Sequence, residues 1–455
     1  QEFTFQLLCW AMIFALDIQY YEVRSTFSDC SIGVVNMFFT QDFVNTHNRY
    51  TNSIFHLIPL AWIKLGGNLK GLLILLSLSV HFTIFITTIA IKYFFRENKY
   101  GWFIILSTCF WLNHAFVYLT PESCTFIFCL FYFIFFDYYK NQASKTLFYM
   151  LCSLLFILAA FAHPISAFMI VLIMTYLFIS EDKVHFKMIV ITFLMLMATF
   201  ALAKWMVPPG EYDSRSANNF IENLSQLKNI YHSALVPYFN NNYRHNLMYE
   251  ITTFMIVLML SYFKDWKRLL FFLSITAFLH VFLCIYLFSN LSATYTDLYY
   301  QCIGIIYCLF IFYCVTELLV LSYLPFLVLI AISCNRLGGI GQLYNKRADF
   351  IKSVITYCQS NSFGDKVFIR YGAISNERLL YETWALPFES LIFSTLGNKT
   401  MTISVANNKP NENTGNEFYF GDLPSKNQHE TIPKEIFPLS NGKYYTLDSI
   451  PPFLK

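Results

Sequence analysis

Residues 21–67 read YEVRSTFSDCSIGVVNMFFTQDFVNTHNRYTNSIFHLIPLAWIKLGG, a long polar segment in an otherwise apolar chain. One apolar run, Phe3–Tyr20, precedes it, and a long series of apolar runs follows it. A loop of that length inside a compact domain usually carries function, and this one holds Asp29, Asp42, His47 and Arg49. Its reading decides the fold, because it fixes which face of a membrane each later segment reaches.

Of 455 residues, 56% are hydrophobic and 13% charged, roughly half the charged fraction of a soluble domain. Apolar runs recur near 3–20, 70–94, 101–118, 122–139, 146–162, 165–180, 186–206, 248–263, 269–289, 298–316 and 318–334. Their lengths approach what a helix needs to cross hydrocarbon. The pattern predicts an all-α polytopic membrane protein with about 11 transmembrane helices. Alternating segments that could close into a barrel are absent from the sequence. A net charge of +3 and the lack of a basic stripe argue against a nucleic-acid partner. Phe3–Tyr20 is too long for a signal-peptide core and lacks a small-residue cleavage site, so it reads as a retained first helix. Of the twelve cysteines, ten sit in or at apolar runs, and only Cys30 and Cys358 lie in polar segments. No CxxC occurs, so neither a disulfide framework nor a zinc site is signalled.

Segment 52–65, NSIFHLIPLAWIKL, is apolar but short and interrupted by Pro59. It reads as an amphipathic helix in the membrane interface rather than a span. The connecting loops then alternate in charge. Arg96, Lys99, Lys140, Lys145, Lys183, Lys187, Lys264, Lys267 and Arg268 fall on one side, while the short loops around 119–122, 163–164 and 290–297 hold no Lys or Arg. The positive-inside rule sets the N-terminus in the cytoplasm. The first loop (21–69), the second large loop (207–247) and everything after Cys334 then lie outside it. Residues 1–334 form the transmembrane domain in this reading, and 335–455 a small extracytoplasmic α+β appendage. That appendage begins with an amphipathic helix over 335–357. Strand-like runs follow at 365–371, 401–406, 416–420 and 443–447, with turns such as Asn441-Gly442 between some of them. Sequons at Asn223, Asn290 and Asn398 fall on the outer side.

Asp29, Asp42, His47, Arg49, His114, Glu122 and His163 collect at that outer face, where ionisable groups at membrane depth are costly and usually functional. Each has a structural reading beside the functional one. Glu122 follows Pro121 at a helix start, where a carboxylate complements the dipole. His163 ends a helix before Pro164. Asp29 caps a helix starting at Cys30, and Asp42 one near Val44. Arg49 neutralises a loop carboxylate. Asp17 is packing polarity or a snorkelling end residue, and His81 and His280 are satisfied core histidines.

The order of parts resembles the GT-C superfamily of polytopic glycosyltransferases, in particular its aminoarabinose- and mannosyl-transferase branches. There a first span leads into a long extracytoplasmic loop with an acid near its start, followed by interfacial helices and a second span. His47-Asn48-Arg49-Tyr50 stands where those branches carry a Lys-Pro-Pro-like segment, ahead of the interfacial helix IFHLIPLAWIKLGG at 54–67. TPESCTFIFCLFYFIFFDYYK (120–140) is similar to the family's outer acid and following helix, and LAAFAHPISAF (158–168) to the turn before its sixth span. The resemblance implies a hexosyl- or pentosyltransferase in a bacterial inner membrane. It would move a sugar from a polyprenyl-phosphate donor to a glycan, lipid or protein acceptor by direct displacement. Asp29 would be the base, with Asp42 and Glu122 as further acids. Arg49, helped by His47 or His163, would stabilise the leaving phosphate, with Arg215, Lys228 and Arg244 as secondary phosphate ligands. The first loop lacks an Asp-Glu or Asp-x-Asp pair. A divalent metal is therefore not signalled, and no cofactor is expected. Two other readings stand beside this one: a non-catalytic lipid-binding or assembly subunit of a membrane complex, and a transporter or flippase. Transporters often show internal repeats and midplane helix breaks, and no repeat is visible here.

Overall fold

The computed structural model describes residues 2–43, 49–110, 116–117, 122–208, 211–233, 243–286, 288, 293–317, 324–373, 383–397, 399–406, 417–419, 429–431, 437–439 and 444–447, some by backbone alone. Most of it is helix. From the N-terminus run α1 (Glu2–Gln19), α2 (Tyr21–Thr26), α3 (Asp29–Thr40), α4 (Ser53–Lys64) and α5 (Leu69–Phe95). Next come α6 (Asn98–Phe110), α7 (Glu122–Tyr139), α8 (Thr146–Ala160), α9 (Ile165–Ser180), α10 (Phe186–Met206) and α11 (Glu211–Leu224). Then follow α12 (Tyr243–Tyr262), α13 (Trp266–Tyr286), α14 (Ala293–Glu317), α15 (Leu324–Ser360) and α16 (Leu386–Leu396). Among the described residues four segments are long and apolar enough to cross a membrane: Leu69–Phe95, Lys183–Met206, Trp266–Tyr286 and Phe326–Ser360. Five shorter apolar helices, such as Thr146–Ala160 and Ile165–Ser180, accompany them.

Side-chain contacts fix how these helices run. α1 and α5 are antiparallel: Trp10 meets the Phe85 ring at 5.7 Å, and nearer the far end Ser77 Oγ donates to the Asp17 carbonyl at 2.8 Å. α15 runs alongside α1 in the same direction. The Tyr20 hydroxyl donates to the Gly338 carbonyl at 2.9 Å, and further along Phe27 packs edge-on to Tyr344 at 4.7 Å. The loops between α5 and α6, α7 and α8, and α9 and α10 meet at one end of the bundle. There Lys99 pairs with Asp137, and Lys140 with both Asp137 and Glu181. Arg268 donates to the Ser180 carbonyl at that same end. The first loop lies at the other end.

That loop is folded. α4 has 12 residues, about 18 Å of helix, too short to cross roughly 30 Å of hydrocarbon. It turns back onto α5 through Gly66, whose φ of +81° suits glycine, and through Gly67, whose N–H donates to the Trp62 carbonyl. The Trp62 ring lies flat over Gly67, where a Cβ would come within 2.3 Å of it. Phe55, Leu60 and Ile63 face inward, while Leu57, Ile58 and Leu65 are exposed.

One boundary differs from the one the sequence suggested. The described part of the apolar run expected over 318–334 and the amphipathic helix expected over 335–357 are one unbroken helix, α15, of 37 residues. The domain boundary set at 334/335 therefore falls inside a helix. Gly341 on this helix serves packing. A Cβ there would sit 2.6 Å from the Tyr20 ring, so its absence lets α1 approach. α1 itself is not among the helices apolar enough to span by composition, because it carries Glu2 and the buried Asp17.

Beyond Ser360 the chain forms a three-stranded parallel sheet ordered β2-β1-β5, with β1 (Lys366–Arg370), β2 (Thr402–Ala406) and β5 (Tyr445–Leu447). α16 connects β1 to β2 and covers the sheet. The buried run Val367, Phe368 and Ile369 on the central strand suits a sheet packed on both faces. β3 (Glu417–Tyr419) and β4 (His429–Thr431) form a separate antiparallel ribbon. All four strand-like runs of the sequence contain a strand. β4 lacked a strand-like signal, and Asn441-Gly442 lies outside the described residues.

Candidate functional site

The end of the bundle that carries the first loop gathers most of the buried polar side chains. Asp17, near the end of α1, is sealed from solvent together with Arg24 of α2 and His81 of α5. Arg24 Nη2 lies 3.1 Å from Asp17 Oδ1, and His81 Nδ1 lies 2.8 Å from Asp17 Oδ2. Arg24 also donates through Nε to Ser77 Oγ at 2.9 Å and through Nη2 to the Ser77 carbonyl at 3.0 Å. Its Nη1 donates to the Phe116 carbonyl, and its guanidinium stacks 4.3 Å from the Phe116 ring centroid. A buried arginine with four acceptors around it is a fixed joint. It braces the helix break between α1 and α2 and ties it to α5 and to the segment after α6. His81 is thus a satisfied core histidine, and Asp17 is internal polarity rather than a snorkelling end.

A second buried pair ties the first loop to the C-terminal unit. Arg347 of α15 donates from Nε to Glu389 Oε2 at 3.0 Å and from Nη2 to Oε1 at 3.1 Å, a two-pronged arrangement. Glu389 Oε1 also accepts the backbone N–H of Ser28 at 3.2 Å. Ser28 has φ +55° and ψ −130°, a conformation that favours glycine and costs a serine on the order of 1–3 kcal/mol. It persists because both sides of the residue are held: its carbonyl accepts from the Ser31 N–H at 2.9 Å and the Ser31 hydroxyl at 2.6 Å. The strained residue turns the chain so that α3 starts at Asp29. Around this pair Val34 and Met37 of α3, Leu60 of α4, Leu72 of α5 and Leu391 of α16 form one apolar cluster with Phe437. Lys352 of α15 pairs with Glu22 of α2 at the same joint.

Against this frame the expected site residues separate. Asp29 is exposed in the first turn of α3, where a carboxylate is favoured by the helix dipole. The residue at the helix cap is Ser28, not Asp29. Asp42 is exposed beyond the end of α3, and its Oδ1 accepts the N–H of Phe43 at 2.7 Å; the helix expected near Val44 lies outside the described residues. Arg49 is buried. It begins the short 3-10 turn Tyr50–Asn52, which docks on the end of α8: the Thr51 N–H reaches the Phe161 carbonyl and its hydroxyl the Leu158 carbonyl at 2.8 Å. That docking brings the Arg49 segment beside the turn carrying His163. His163 Nδ1 accepts the Ile165 N–H at 3.1 Å and so starts α9. His47 and His114 lie outside the described residues, as do the side chains of Glu122, Arg215 and Arg244. Further along the Arg49 face, Asn52 Oδ1 and His56 Nδ1 are buried and meet no hydrogen-bond partner among the described residues. Burial pushes His56 down to about 4, from an ordinary 6.5. Among the described residues no group of three or more His, Cys, Asp or Glu side chains is arranged to hold a metal ion.

The sequence reading missed the Arg347–Glu389 pair and the Asp17–Arg24 contact. Both left a signal. Glu389 is the single acid in an apolar run, LPFESLIFSTL (386–396), and a lone charge in such a run needs a partner. Asp17 and Arg24 are seven residues apart, two helical turns on one face. Cys358, assigned to a polar segment from its neighbours, is fully buried on α15.

The chain was compared with family models, with characterised proteins and with solved structures, and it matches none of them.

Proposed function

We propose that the chain is an integral-membrane glycosyltransferase of the GT-C kind, moving a sugar from a polyprenyl-phosphate donor to an extracytoplasmic acceptor. All eleven long helical segments cross the bilayer in this reading, with the N-terminus cytoplasmic, the first loop and C-terminal unit outside, and a bacterial inner membrane as the site. The observation that carries the reading is Ser28. A strained backbone braced by a buried ion pair is a common accompaniment of functional sites, and here it sets the start of the helix that exposes Asp29. Asp29 is the proposed base for the acceptor hydroxyl or amine. Arg49, held beside the His163 turn, is the proposed partner of the leaving phosphate. Purified protein in vesicles with a radiolabelled polyprenyl-phosphate sugar tests this. Asp29→Asn is expected to slow transfer by about 100-fold or more; transfer at the wild-type rate by that variant removes Asp29 from the mechanism.

The second reading is a non-catalytic lipid-binding or assembly subunit. Two side chains favour it: the Asp42 carboxylate and the His163 ring both serve local backbone bonds. It predicts stable partner proteins that copurify with wild type and Asp29→Asn alike, and no sugar transfer by either.

A further inference from the structure

The second large loop offers a surface with a definite lipid-facing geometry. Over residues 218–232 the end of α11 and the 3-10 segment Ser225–His232, kinked at Asn229, carry three stripes, with exposed Asn219 and Lys228 outside them. Phe220, Asn223, Gln226 and Ile230 are half-buried against the bundle. Ile221, Leu224, Leu227 and Tyr231 form an apolar stripe that is exposed, at 63%, 45%, 51% and 64% respectively. Asn218, Glu222, Ser225, Asn229 and His232 form an exposed polar stripe. The inner and apolar stripes each step by three or four residues, the period of a helix face. A polar helix in water would have no need of the middle stripe.

The segment is anchored. The Phe220 ring packs 5.2 Å from Phe282 and 6.0 Å from Tyr286, and Ser233 Oγ donates to the Cys284 carbonyl at 2.8 Å. Those partners belong to the last turns of α13, a helix apolar enough to cross a membrane. Phe278 and Val281 on that helix are themselves exposed. Trp205 and Met206, at the end of α10 just before the segment, are exposed too. The apolar stripe therefore lies beside the last turns of one candidate span and follows a second in sequence.

We propose that residues 218–232 lie in the plane of the membrane interface, with Ile221, Leu224, Leu227 and Tyr231 in the acyl boundary and the Glu222 stripe in water. The occupant is the lipid surface itself. Four side chains fall far short of the roughly 20–30 residues per side of a stable protein interface. Glu222 and Lys228 are the only Asp, Glu, Lys or Arg from 218 to 232 and cancel formally, so the surface suits neutral lipid and needs no anionic headgroup.

The test uses the whole chain with Cys30→Ser, Cys124→Ser, Cys284→Ser and Cys302→Ser, so that the native cysteines left are buried ones, and one further cysteine introduced by Ile221→Cys, Leu227→Cys, Glu222→Cys or Asn229→Cys. Each carries an environment-sensitive fluorophore in phosphatidylcholine vesicles. The expected result is loss of fluorescence to doxyl-labelled lipid at 221 and 227 but not at 222 and 229, with iodide in the water giving the reverse. Two outcomes overturn the proposal: equal doxyl quenching at all four sites, or positions 221 and 227 shielded from both quenchers, which would mean that protein covers the stripe. Either leaves the transferase reading untouched, since no sugar transfer is measured.

Discussion

At one end of the bundle Lys99, Asp137, Lys140 and Glu181 form a chain of ion pairs that water still reaches, whereas at the other Asp17, Arg24 and His81 are sealed from it. Both ends hold several helices together, but by different physics. Partly exposed pairs gain little over their hydrated state. A buried charge has lost its hydration, so removing one partner strands the other. The wet end is thus tolerant and the dry end is not. The dry end is also where the first loop, the strained Ser28 and the C-terminal unit meet.

The largest expected effect follows from breaking the dry cluster. Arg24→Ala strands Asp17 and is expected to cost about 3–5 kcal/mol, read as a large drop in unfolding temperature in detergent. Next is the apolar joint. Leu391→Ala, at a fully buried position of α16, is expected to cost about 2–5 kcal/mol and to speed proteolysis of the C-terminal unit.

A smaller effect comes from pH. His56 is held to about 4 by burial, so between pH 6.5 and 4 the unfolded segment binds a proton that the folded one refuses. Stability from this group is complete above pH 6.5 and falls as the pH drops toward 4. Hydrogen exchange over α4 is expected to rise through that window in wild type and to lose this dependence in His56→Gln. The smallest effect belongs to the wet end, where Lys140→Ala is expected to cost no more than about 1 kcal/mol and to leave the unfolding temperature nearly unchanged. A loss there as large as that of Arg24→Ala would erase the contrast.

Much of the helical layout is legible in the sequence, because long apolar runs bounded by charged loops leave few alternatives. α4 was readable as a short helix from its brief apolar run. The strands over 366–370 and 402–406 announced themselves as short apolar runs between polar turns. What the sequence concealed depends on contacts between distant positions. Nothing local in the sequence tells that Tyr20 needs the space over Gly341. Arg347 and Glu389 are 42 residues apart, and only the fold reveals that the first-loop residue Ser28 joins them. The candidate site was legible as a set of residue types, but their engagement was not. Asp42 and His163 turn out to bond their own neighbouring backbone, which spacing alone could not disclose.

The first loop and the C-terminal unit form one body, joined through Glu389, and this joint holds Ser28 and Asp29 in position. Hydrogen exchange on Glu389→Gln decides whether it does. In that variant α3 (Asp29–Thr40) and α16 (Leu386–Leu396) are expected to lose protection together while α8 and α9 keep theirs. Protection lost in α16 alone, with α3 unchanged, would mean that the joint does not hold the first loop.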